Sequence, residues 1–135
     1  MKNKYLAAFK IDKYFIKKSQ TNHKMKFYIS LPIGGYENTV RERYEDAKKR
    51  ILNEYPGATV SGPVNIDKFD STGLTMKRDH DWNWYIGEDI KELLTCTHIY
   101  LCRGYLYSKG CRTELAVADA NYILPKYHPF AFMKL

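Results

Sequence analysis

Long apolar runs are missing from this 135-residue chain. None approaches the roughly 20 residues needed to span a bilayer, and the N-terminus lacks the apolar core followed by small residues that marks a signal peptide. The expectation is an intracellular, cytoplasmic protein with no membrane partner. Cysteine is also scarce. Cys96, Cys102 and Cys111 are odd in number, fall in expected helix or strand and lack a C-x-x-C spacing, so a disulfide framework and a zinc site are both disfavoured and buried thiols are expected. Of the four histidines only His80, in RDHDWNW, has other candidate ligands nearby, and a solvated loop is the preferred reading there. Neither a G-x-G-x-x-G nor a P-loop is present, so Gly34-Gly35 indicates only a turn able to approach a ligand closely.

What is abundant is lysine, but it is unevenly placed. Residues 1–26 hold eight lysines and one aspartate, whereas residues 27–135 balance fourteen basic against fourteen acidic side chains. A surface built to bind a polyanion would carry its charge on the folded body, so a nucleic-acid polymer is not an expected partner. Residues 1–25 read as a basic N-terminal extension ending in the linker-like SQTNHK. Residues 26–135, with Met25 just before the first strand, read as one domain. The extension is either a segment preceding a natural start at Met25 or an accessory element packing on a neighbour. Its apolar positions do not share one clean face, which argues against a membrane-surface anchor.

From Lys26 onward strands and helices alternate. KFYISL is an expected strand, Glu37 to Glu54 a charged helix, and ATVSG a strand after the Pro56-Gly57 turn. A long loop then leads to a helix ending near Cys96, the strand HIYLC, a helix from about Lys109 to Ile123, and a last short strand in FAFM. This order predicts an α/β fold with a mostly parallel sheet of four to five strands covered on both faces. In such sheets the loops leaving the carboxyl ends of the strands share one edge, and ligands bind there. Pro32 to Tyr36, Pro63 to Asn83 and Arg103 to Ser108 should therefore converge, the second being long enough for a lid or substrate loop.

Two carboxylates stand out against the apolar pattern. On the first of the two later helices the expected core stripe is Ile86, Ile90, Leu93 and Leu94, with Asp89 at its border. On the second it is Cys111, Leu115, Ala118 and Tyr122, with Glu114 in the equivalent place. Each acid has a plainer reading. Asp89 can answer the positive end of a helix, and Glu114 can be a solvated surface residue. Two acids on helices flanking one strand nevertheless permit a pair serving glycosidic chemistry, one attacking an anomeric carbon. Ser108 is a natural helix N-cap whose neighbouring amides suit an anion or hydroxyl, and Tyr28 and Ser30 alternate onto one face of the first strand.

Tyr28-x-Ser30 with Gly34-Gly35, then GEDIKELLTCTHIYL, then SKGCRTELAVADA, resembles the nucleoside 2-deoxyribosyltransferase superfamily over about Lys26 to Ile123. The resemblance is closest to a branch of small bacterial and phage domains and extends to the 2'-deoxynucleoside 5'-phosphate N-hydrolases. It implies a flavodoxin-like or Rossmann-like three-layer sandwich. It also implies cleavage of the N-glycosidic bond of 2'-deoxynucleosides or their monophosphates, by transfer to another base or by hydrolysis. Glu114 would be the nucleophile, Asp89 would hold the sugar or assist the leaving base, and Tyr28 would orient Glu114. Ser30, Gly34, Gly35, Ser108 and Gly110 would contact the sugar or a 5'-phosphate. The first loop, LPIGGYE, carries no arginine beside its glycines, unlike phosphate-preferring relatives, which leaves Lys109 and Arg112 as substitute cations. No metal or organic cofactor is implied, and homo-oligomers are common in the superfamily. The competing expectation is a non-catalytic nucleotide-binding module of the same fold.

Overall fold

The computed structural model describes residues 24–69 and 80–135. The basic segment before Lys24 and the middle of the long loop, residues 70–79, lie outside the described residues. The elements follow in the order β1 (Lys26–Ser30), α1 (Val40–Glu54), β2 (Thr59–Ser61), α2 (Trp82–Leu93), β3 (His98–Leu101), α3 (Lys109–Ala120) and β4 (Leu124–Tyr127). Short 3-10 turns at Glu37–Thr39, Ile66–Lys68 and Tyr105–Tyr107 sit in the loops that follow β1, β2 and β3.

All four strands run parallel, in the order β2-β1-β3-β4, giving the flavodoxin- and Rossmann-like three-layer arrangement expected from the strand–helix alternation. The two central strands carry the burial. β3, HIYL, is buried along its whole length and β1 from Phe27 on, as required where helices cover both faces. Side-chain alternation sorts the core accordingly. Phe27, Ile29 and Tyr100 pack with Val40, Tyr44, Ala47 and Ile51 of α1 on one face. Tyr28, Ile99 and Leu101 pack with Leu93 of α2 and Cys111 and Ala118 of α3 on the other. All three cysteines are buried and free. Among the described residues no helix is long and apolar enough to cross a membrane.

The sheet accepts close approach on the α1 face only because Gly62 has no side chain. A Cβ there would meet Tyr44 Cε2 at 2.7 Å and the Ile29 carbonyl oxygen at 3.5 Å. Gly62→Ala is therefore expected to displace the Tyr44 ring and destabilise the domain by about 1–3 kcal/mol, the usual cost of overpacking, measured by urea denaturation. An unchanged midpoint would show that the ring moves freely.

Three sequence expectations need correction. The last strand is Leu124–Tyr127, not FAFM. Its Pro125 is tolerated because β4 is an edge strand, where one missing amide donor need not break a ladder, and Phe130 to Met133 lie in turns instead. The last helix stops at Ala120 rather than Ile123. Tyr122 takes a left-handed conformation, φ 59°, while the Ile123 amide donates to the Ala118 carbonyl at 2.9 Å and the Tyr122 amide to Asp119 at 3.4 Å. This is a Schellman ending with Tyr122 in the place glycine usually takes, and it puts that ring in solvent instead of the core stripe. The buried line of α2 is Tyr85, Asp89 and Leu93, continued by Cys96, whereas Leu94 is 49% exposed. Asp89 thus lies within the buried line and not at its border.

Candidate functional site

Strand order reverses direction between β1 and β3, so the loops leaving these two strands diverge and open a crevice at their carboxyl ends. A cleft of about 270 Å³ occupies that crevice. The three loops expected to converge each contribute to it: Leu31 to Gly34 and Tyr36 after β1, Pro63 and Asn65 after β2, and Tyr107 and Ser108 after β3. Trp82, Tyr85, Ile86 and Asp89 of α2 and Lys109, Gly110 and Glu114 of α3 complete the wall.

Glu114 is the most constrained group in the cleft. It points from the second turn of α3 toward β1, is only 4% exposed, and both of its oxygens are engaged. The Tyr28 hydroxyl donates to Oε2, and the Ser30 hydroxyl donates to Oε1 at 2.8 Å. Strand alternation explains the pairing, because residues two apart on β1 present their side chains to the same helix. Burial pushes the Glu114 carboxyl up to about 8. The Tyr28 and Ser30 hydrogen bonds work against that rise, and the negative charge of Asp89 adds to it. The Tyr28 phenol is driven well above its ordinary value by burial and then by Glu114.

Asp89 lines the same cleft from the middle of α2. Its position eight residues into the helix removes the helix-dipole explanation. Its Oδ1 accepts the Val64 amide at 2.7 Å, which fixes the β2–α2 loop to the helix. Burial raises Asp89 to about 6, the Val64 hydrogen bond opposing the rise. At neutral pH Asp89 is therefore the more ionised of the two acids.

The other expected residues divide. Ser108 caps α3, its Oγ accepting the Cys111 amide at 3.2 Å, and lines the cleft as well. Gly34, Lys109 and Gly110 line the cleft. Lys109 Nζ rests 4.1 Å from the ring centre of Trp82, joining the starts of α2 and α3. Gly35 has φ +86°, which explains the glycine, but its amide donates to Glu37 Oε1 at 3.1 Å and is not turned to the cleft. Arg112 is exposed, with Nε 3.4 Å from the Ser108 carbonyl oxygen, and stands outside the lining.

Three contributors were not foreseen. Arg43 of α1 supports the first loop from beneath, its Nη2 donating to the Pro32 carbonyl at 2.7 Å and the Tyr36 carbonyl at 3.2 Å. Arg43 is thus spent on loop carbonyls, is not part of the cleft lining, and its Nη1 is buried without a partner. Asn65 and the aromatic rim of Tyr36, Trp82 and Tyr107 were likewise missed. All four lie in or at the ends of the loops expected to converge, but an asparagine in a loop or an aromatic residue beside a turn carries no sequence signal beyond turn chemistry, and only the fold singles them out.

The fold is an open, all-parallel α/β sheet of the flavodoxin- and Rossmann-like type, with two buried carboxylates facing a cleft at its switch point. The chain belongs to the family described as a domain of unknown function (DUF4406), whose profile matches residues 25–124. No curated protein and no solved structure matches the chain.

Proposed function

We propose that the protein cleaves the N-glycosidic bond of 2'-deoxynucleosides or their 5'-monophosphates, with Glu114 as the nucleophile. The observation that carries this reading is the Glu114 carboxylate at the cleft wall, with each oxygen held by a hydroxyl from β1. Such a group is oriented, dry and short of solvating partners, as a carboxylate that attacks carbon needs to be. The superfamily resemblance of the Tyr28-x-Ser30 and SKGCRTEL segments supports it independently.

In the ionised form one Glu114 oxygen bonds to C1' while the C1'–N bond breaks, and the bonding pair leaves with the base, which takes up a proton from solvent, the same proton being returned when the incoming water or second base loses one on attacking C1'. Water or a second base then attacks C1', and the Glu114 carboxylate is released. Asp89, carrying charge at neutral pH with one oxygen fixed by Val64, suits the role of acceptor for a sugar hydroxyl better than that of proton donor to the base. Gly34, Ser108 and Gly110 bring backbone and hydroxyl groups to the sugar's other end, and Lys109 supplies the cation nearest a 5'-phosphate.

Incubation with the four deoxynucleosides and their monophosphates is expected to release free base, followed by chromatography. Trapped protein should gain the mass of one deoxyribosyl unit, and Glu114→Ala should do neither. Base release undiminished in Glu114→Ala would sink the assignment. Saturable thermal stabilisation by nucleotides with no product over long incubation would favour a non-catalytic binding module instead.

A further inference from the structure

Asn65 is 7% exposed, lines the cleft, and has a side-chain amide without a hydrogen-bond partner among the described residues. Its amide atoms are not sealed off, since Arg43 Nη1 is the fully buried side-chain polar atom left unpaired among the described residues, so Asn65 meets the cleft with its hydrogen-bonding capacity unused by the protein. The ordinary role of asparagine at its position is ruled out by the local geometry. Asn65 stands at the cap of the Ile66–Lys68 turn, yet its side chain makes no capping bond; only its backbone carbonyl serves the turn, accepting the Lys68 amide at 2.9 Å. The segment is nevertheless held in place, because the preceding residue's amide is bound to Asp89. An unpaired amide on a fixed backbone, opening on the cavity that holds both acids, has the form of an unfilled ligand contact.

A carboxamide presents a donor and an acceptor side by side. A phosphate offers acceptors alone, whereas the edge of a nucleobase sets a ring nitrogen beside an exocyclic amino or oxo group and matches both. The cleft's rim adds flat apolar surface: Tyr36, Trp82 and Tyr107 are 42%, 40% and 60% exposed. Large aromatic rings at the rim of a polar cavity suit the π-face of a planar heterocycle, with one face of Trp82 already carrying Lys109 at 4.1 Å and one face of Tyr107 carrying Lys134 at 5.0 Å. We infer that Asn65 reads the hydrogen-bonding edge of a nucleobase held in this cleft, the aromatic rim supplying its stacking surface. The inference rests on the glycosidic reading for the base's place beside Glu114, and goes beyond it by assigning base selection to a residue on the β2–α2 loop.

Calorimetric titration tests this in the full-length Glu114→Gln background, with adenine, hypoxanthine, cytosine, thymine and 2-deoxyribose as probes. At least one base should bind, Asn65→Leu should weaken the preferred base tenfold or more, and neither should change with deoxyribose. Asn65→Asp, which keeps size but offers acceptors when ionised, should reorder the series toward bases presenting donors. It also covers the case in which Asn65→Leu fails to fold. Unchanged affinities and order in folded variants would overturn the assignment. Asn65-dependent base binding, with no deoxynucleoside cleaved by the unmutated chain, would keep the reader and remove the glycosidic function. Cleavage whose base ranking survives in an Asn65→Leu chain with Glu114 intact would remove the reader alone. Absence of both base binding and cleavage would remove both.

Discussion

Glu114→Gln is expected to make the protein more stable while removing base release altogether. The unfolded chain titrates this carboxyl near its ordinary value of 4.5, whereas the folded chain holds its proton until about pH 8. Between those values the folded state binds more protons than the unfolded one, so this residue's contribution to stability falls as pH rises through the window and levels off above it. Glutamine keeps the shape and stays neutral, and the Tyr28 and Ser30 hydroxyls, each able to donate or accept, can rebond to its amide. The variant and the parent should therefore have similar stability near pH 4 to 5 and diverge with rising pH. Above pH 8 the difference reaches at most on the order of 5 kcal/mol, at about 1.4 kcal/mol per pH unit. Urea denaturation at a series of pH values measures this directly. Parallel stability curves for the two proteins would show that Glu114 is not held protonated by burial.

That trade between stability and activity is the expected mark of a group buried for chemistry and not for the fold. It also bears on why the site was partly legible in the sequence. Tyr28 and Ser30 could be placed on one strand face because alternation by two is a rigid rule, and Glu114 stood out because a helix three residues past Cys111 and four before Ala118 turns it inward. The same reasoning misjudged α2. Counting Ile86, Ile90 and Leu94 as core chose a phase that leaves a carboxylate at the edge, the cheaper arrangement if nothing pairs with it. The observed phase buries Asp89 because the Val64 amide, from a loop 25 residues earlier, satisfies one oxygen. A partner of that kind is a product of tertiary structure and leaves no periodic trace. Arg43 and Asn65 were hidden for the same reason: one is an ordinary basic residue on a charged helix, the other an ordinary loop asparagine, until the fold brings them to the β1 loop and the cleft. The edge strand β4 was missed because Pro125 reads as a breaker unless the strand is known to have only one neighbour.

Asp89→Asn and Tyr28→Phe should displace the pH profile of base release in opposite directions. The charge of Asp89 holds the Glu114 carboxyl up, so replacing it by a neutral amide lets Glu114 ionise at lower pH and moves the rising limb of the profile toward acid. The Val64 amide can still donate to the asparagine oxygen, which keeps the β2–α2 loop in place. The Tyr28 hydroxyl holds the carboxyl down by donating to its charged form, so Tyr28→Phe leaves that oxygen unsolvated in the cleft and moves the limb toward alkali. Each pH unit of displacement changes the ionised fraction at neutral pH about tenfold. At pH 7 the tyrosine variant should thus be slowed through ionisation alone, and raising the pH should restore part of its rate. The aspartate variant should gain ionised nucleophile while losing whatever Asp89 contributes to holding the sugar, so its limb shifts to acid even as its maximum falls. The carbonyl stretch of a protonated buried carboxylic acid follows the same titration by infrared spectroscopy without turnover. Displacement of both variants in one direction would mean that the acid governing the profile is not the one held between Tyr28 and Ser30 and facing Asp89.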